Sequence, residues 1–194
     1  MRTAAIVSLC GYKQVVKLII GQRKKTNMRI VMFTTQTANG FVAHASGEMP
    51  WSESTHQDRY ELAKRFPAVI VGRNTFEVLS EGDEFTKLGN PLVIVVTSTH
   101  GALDENTVFV ETAKEAITEL HGRDITQALL LGGAITNTKF LDAGLVSEVI
   151  MDLEPQLFSH GAGTFTKEAP SVQLELLHSE QRGSNIRLHY KVLN

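Results

Sequence analysis

With 194 residues, 42% of them hydrophobic, the chain holds enough for one well-buried domain and too little for two ordinary ones. A formal charge of -2 excludes a general pull toward nucleic acid or an anionic membrane. The single cysteine, Cys10, excludes a disulfide framework and an all-cysteine metal site, and it points to a reducing, cytoplasmic setting.

The opening segment, residues 1–27, has no Asp or Glu but carries Arg2, Lys13, Lys17, Arg23, Lys24 and Lys25. Its apolar run Val15 to Ile20 is interrupted by Lys17 and falls well short of the roughly 20 residues of a membrane span. It reads as a basic, poorly ordered extension ahead of a domain over residues 28–194, with a transit peptide as the alternative. From Arg29 the chain alternates strands and helices. Ile30 to Thr35, Ala68 to Val71, Leu92 to Thr97, Thr107 to Val110, Ala128 to Leu131 and Ser147 to Asp152 are the expected strands. Several are continuous apolar runs such as "AVIV", "PLVIVV" and "ALLL", the pattern of parallel strands covered on both faces.

Helices fit between the strands. Asn74 is placed to cap one, with Glu77 three residues on and Phe76 and Leu79 turned to the core. Thr112 and Glu115 make a capping box for another, whose apolar face is Ala116, Ile117 and Leu120. A short helix is expected to begin near Thr136. The C-terminal stretch alternates, and its "RGSN" turn joins two runs as an antiparallel hairpin. The expected fold is therefore α/β, a mainly parallel central sheet flanked by helices with the hairpin at its edge. In such sheets ligands bind outside the carboxyl ends of the strands.

Three strand ends carry polar or glycine-rich turns. "GRNTFEVL" after Val71 is either a capped helix behind a tight turn or an anion site made of a helix N-terminus, Arg73 and Thr75. "TSTHG" after Val96 reads as a turn or as a ribose contact. Gly132-Gly133 after Leu131 is followed by neither the lysine of a P-loop nor the third glycine of a dinucleotide fingerprint. The pair either makes a turn that needs positive φ or clears side chains so that phosphates reach backbone amides. Two anion sites one crossover apart suggest a ligand with phosphates in two places. The histidines have no metal-ligand spacing, and no metal is expected.

Taken together, "MPWSESTHQDRYELAKRFPAVIVGRNTFEVL", "VIVVTST" and "LLLGGAITNTKFLDAGLVSEVIMDLEPQLFSHGAGTF" resemble the dihydrofolate reductase-like fold, in the branch of the riboflavin-biosynthesis reductase (RibD C-terminal) domain. The resemblance runs from Met28 to the C-terminus. It implies NADPH as cofactor, with Gly72, Arg73, Asn74 and Thr75 near its phosphates and Thr97 and Ser98 near the adenosine ribose. It also implies the pyrophosphate at Gly132 and Gly133, with Ala134 and Ile135 opening the helix behind, and Thr35, Val42 and Ala43 by the nicotinamide. The implied activity is hydride transfer to a pyrimidine or pterin-like heterocycle, and the implied assembly is a homodimer. A reduced imine must also collect a proton, commonly with help from a buried carboxylate. The aligned place of that acid holds His56, so Asp58 becomes the expected acid and substrate contact, with Glu53 behind it and Trp51 as a stacking surface. An arginine that helps hold a ribose phosphate in the riboflavin reductases is absent from "SEGDEFTKLGNP". A true dihydrofolate reductase and a non-catalytic NADPH-binding protein stay open as alternatives.

Overall fold

The computed structural model describes residues 28–99 and 105–193; the expected basic extension, Cys10 and His100 lie outside the described residues. Strands β1 (Arg29–Thr37) and β2 (Phe41–His44) lead into helix α1 (Glu53–Ala63), strand β3 (Ala68–Gly72), helix α2 (Arg73–Ser80) and the single turn α3 (Glu84–Lys87). Strands β4 (Leu92–Val96) and β5 (Thr107–Val110), helix α4 (Ala113–Gly122), strand β6 (Gln127–Gly132) and helix α5 (Ala134–Asp142) follow. Strand β7 (Glu148–Glu154), the short β8 (Gly161–Gly163) and the hairpin β9 (Gln173–Arg182) and β10 (Asn185–Leu193) complete the described chain.

The main sheet runs β5-β4-β3-β6-β1-β7-β10-β9, parallel through β7 and antiparallel across the hairpin. Alternate residues of the inner strands feed two separate cores, which is why their sequences read as unbroken apolar runs. Ile30, Met32, Ile70, Ile94 and Leu130 pack with Leu120 of α4 and Phe140 of α5 on one face. Val31, Phe33, Val69, Val71 and Leu129 pack with Tyr60 and Leu62 of α1 and Leu79 of α2 on the other. The hairpin turns where expected, with Gly183 at φ 61° between its strands. The α/β fold expected from the sequence is the fold observed.

Two helix starts differ from expectation. Gly72, not Asn74, is the N-cap of α2, and no side chain completes that cap. Helix α5 begins at Ala134 behind Gly133, which draws Thr136 into its first turn, where it is buried. A Cβ on Gly72 would land on the Thr136 hydroxyl, so this glycine lets β3 and α5 approach. The capping box on α4 forms in part: the Thr112 hydroxyl accepts from the Glu115 amide at 3.1 Å, while Glu115 Oε2 accepts from Glu111 N at 2.9 Å. The pair β2-β8 was not expected; two short strands bounded by glycines carry no readable period. Among the described residues no helix is long and apolar enough to cross a membrane, and no cluster of His, Cys, Asp or Glu is arranged to hold a metal.

Candidate active site

The carboxyl halves of β1 and β6 and the helix start that follows β3 line a cavity of about 420 Å³. Phe33, Thr34 and Thr35 of β1 form its floor, and Val42 and Ala43 of β2 with Met49 and Trp51 form one wall. Local chemistry holds that wall in place. Gly40 takes φ 90° in the turn after β1, and the Thr37 hydroxyl accepts from Phe41 N at 3.0 Å while donating to Asn39 Oδ1 at 2.8 Å. Asn39 Nδ2 then donates to the Phe158 carbonyl at 2.7 Å, which ties the arm to the segment before β8. Trp51 lines the cavity and stacks on Phe158 (centroids 6.0 Å apart), whose ring also stacks on His44 at 3.8 Å.

The first turns of two helices also line it, Asn74 and Thr75 of α2 and Gly133, Ala134 and Asn137 around the start of α5. The glycine pair divides its work. Gly132, joined to Gly133 by a cis peptide, carries φ 92°, a conformation that L side chains rarely adopt. Gly133 has φ -71°, open to any residue, and a Cβ there would meet only Thr75 Oγ1, at 3.4 Å. Gly132 is thus the conformational glycine, and Gly133 keeps space free between two helix starts.

Helix α1 contributes Thr55, His56 and Arg59 to the lining. Ser52 caps it, accepting from Thr55 N at 3.3 Å. The Thr55 hydroxyl donates to Glu154 Oε1, and Asn185 Nδ2 donates to Thr55 Oγ1 at 2.7 Å and to Glu154 Oε1 at 3.1 Å. Glu154 is therefore a buried carboxylate held directly behind the lining. Burial, and then the Arg59 charge, holds the His56 imidazole below its usual range. Arg59 is paired with Glu84, which also accepts from the Tyr60 hydroxyl at 2.7 Å.

Of the residues expected at the site, Thr35, Val42, Ala43, Trp51, Asn74, Thr75, Gly133 and Ala134 come together in this lining. Gly72, Thr97 and Gly132 lie at or just past the ends of neighbouring strands, outside it, with Ser98 beyond Thr97. Arg73 holds Glu77 at 2.6 Å on the surface, and Ile135 is exposed. Asp58, the expected acid, is not part of the lining. Its carboxylate pairs with Arg182 of β9 at 2.9 Å, because α1 buries Thr55, Tyr60, Leu62 and Ala63 and thereby turns Asp58 toward the hairpin. Glu53 is exposed and accepts from Gln57 Nε2 at 2.7 Å. The residues missed from sequence are His56 and Arg59 as lining groups, Asn137, and Glu154 behind Thr55; the aligned place of His56 was the one signal available.

Residues 28–188 match the family described as the RibD C-terminal domain. Among curated proteins, "Uncharacterized protein YwjB" of Bacillus subtilis is 22% identical over 171 residues, covering 84% of this chain and 97% of that one. Among solved structures, Acinetobacter baumannii RibD superposes with a TM-score of 0.70 at 19% identity, over 87% of this chain and 59% of that one. The Thermotoga maritima diaminohydroxyphosphoribosylaminopyrimidine deaminase/5-amino-6-(5-phosphoribosylamino)uracil reductase gives a TM-score of 0.70 at 17% identity, over 94% of this chain and 62% of that one. The likeness to these two larger proteins is one of fold.

Proposed function

The chain belongs to the RibD C-terminal domain family, and from that premise we propose that it is an NADPH-dependent reductase of a pyrimidine or pterin-like heterocycle. The observation that carries this reading is the open space at Gly133. A side chain would fit there without a clash, yet the position is glycine, between the first turns of α2 and α5 at the sheet's carboxyl edge. Backbone N–H groups at a helix start favour phosphate oxygens. The residues present fit the cofactor: the start of α5 and Thr75 would hold pyrophosphate, and Thr35, Val42 and Ala43 would border the nicotinamide. NADPH supplies a hydride when bound. The chain's own part is to orient and enclose the heterocycle, with Trp51 backed by Phe158 as a flat apolar wall. His56 lines the cavity, and Glu154 fixes its neighbour Thr55.

Direct titration is expected to show NADPH binding, and incubation with aminopyrimidines or pterins to show NADPH oxidation. Arg73 gives a further expectation. Its exposed pair with Glu77 is weakly held, so the guanidinium is free to meet the extra phosphate of NADPH. Arg73→Ala should weaken NADPH roughly tenfold more than NADH; equal losses would assign Arg73 to the shared pyrophosphate. One observation favours a second reading, a non-catalytic NADPH-binding protein: among the described residues lining the cavity none is Asp or Glu. NADPH binding without oxidation across the heterocycle panel would select it.

We also propose a homodimer joined through β9. This edge strand leaves Leu174, Leu176 and Leu177 exposed, with Val172 just before it. A long apolar edge invites a second chain. Light scattering is expected to give twice the chain mass, and Leu174→Lys with Leu176→Lys to give the monomer; a monomeric wild type would overturn the pairing.

A further inference from the structure

Among the described residues, two buried side-chain polar atoms have no hydrogen-bond partner, Asn137 Oδ1 and Arg59 Nε. Both residues line the cavity. A buried polar atom left unpaired is costly, and such exceptions call for a partner. Asn137 is the more deeply buried, at 4% exposure, in the first turn of α5.

The orientation of its amide follows from its neighbour. Asn137 Nδ2 donates to the Thr164 carbonyl at 3.0 Å. A carbonyl only accepts, so rotating the amide would set two oxygens against each other and is excluded. Thr164 is itself held: its hydroxyl donates to Gln36 Oε1 at 2.9 Å. The glycine at 132 is part of the same arrangement, because a Cβ there would sit 3.4 Å from Asn137 Oδ1 and 3.3 Å from Nδ2. The acceptor oxygen is consequently a buried polar atom without a partner on a residue that lines the cavity.

We propose that Asn137 is a specificity-determining residue of this site, its Oδ1 accepting a hydrogen bond from an N–H group of the bound ligand. The inference rests on the reductase reading above. Two sources offer such a donor, the carboxamide of nicotinamide and an amino or ring N–H of the heterocycle.

The test replaces Asn137 with leucine, which removes the acceptor, and with alanine, which leaves room for a water against the Thr164 carbonyl should the leucine variant not fold. Unfolding midpoints establish which variant is folded. Dissociation constants are then measured for NADPH, for ADP-ribose 2'-phosphate, which lacks the nicotinamide, and for 2,4-diaminopyrimidine in saturating NADPH. A roughly tenfold loss for NADPH with none for ADP-ribose 2'-phosphate assigns the donor to nicotinamide. A like loss for 2,4-diaminopyrimidine alone assigns it to the heterocycle. Either result supports the proposal. Unchanged NADPH and pyrimidine affinities in a folded variant overturn it, as does an equal loss for all three probes. A wild type that binds neither NADPH nor the pyrimidine overturns the reductase reading itself, and this assignment with it.

Discussion

Arg187→Met is expected to cost about 3–5 kcal/mol of unfolding free energy, the usual penalty for stranding one partner of a buried ion pair. Arg187 on β10 and Asp152 on β7 are register partners, and both are buried. The guanidinium is bidentate, Nε to Oδ1 and Nη2 to Oδ2, each at 2.6 Å. Without the arginine a carboxylate stays in the interior with no compensating charge. Replacing both residues, as Asp152→Leu with Arg187→Met, removes the stranded charge and should recover most of the loss. Urea unfolding of the wild type, both single variants and the double variant measures this directly. A single variant within about 1 kcal/mol of wild type would show that water or a rearranged neighbour satisfies Asp152. The effect should extend to ligand affinity, because the Arg187 guanidinium lies 5.7 Å over the ring of Phe33, which floors the cavity.

Gly133→Ala is expected to separate stability from binding. The backbone angles at Gly133 suit any residue, and an added Cβ meets only Thr75 Oγ1 at ordinary contact distance. The unfolding free energy should therefore stay within about 1 kcal/mol of wild type. The methyl would instead stand in the space proposed for pyrophosphate, and NADPH should bind about tenfold or more weakly. Gly132→Ala is the contrasting variant. At φ 92° it should lose stability by more than the roughly 0.4–1 kcal/mol that alanine gains at a compatible site. Unchanged NADPH affinity in Gly133→Ala would refute the phosphate cradle. A stability loss matching that of Gly132→Ala would make both glycines parts of one turn.

The same glycine pair shows how far sequence alone reaches. Its place at a strand's carboxyl end, and its company there, could be read directly, because an unbroken run such as Ala128 to Leu131 declares a parallel strand covered on both faces. The strand-end rule then led to Thr75 and Gly133, and the family resemblance added Thr35 and Asn74; all four are in the cavity lining. Which glycine needs positive φ could not be read, since both tolerate it.

Patterns local in the chain were enough for the parallel sheet, the α4 cap at Thr112 and the "RGSN" hairpin, because hydrophobic period and turn chemistry act over a few residues. The polar interior depends on contacts across the whole chain. Thr55 and Glu154 meet across 99 positions, and Asn185 and Thr55 across 130. Helix α1 has no clear apolar stripe, so its rotation is decided by what it meets: Glu154 and Asn185 beneath Thr55, and Arg182 beside Asp58. That contact drew Asp58 away from the cavity and left His56 and Arg59 to line it. A buried carboxylate, hydroxyl or amide is placed by the partner that satisfies it, and only the folded chain brings those partners together.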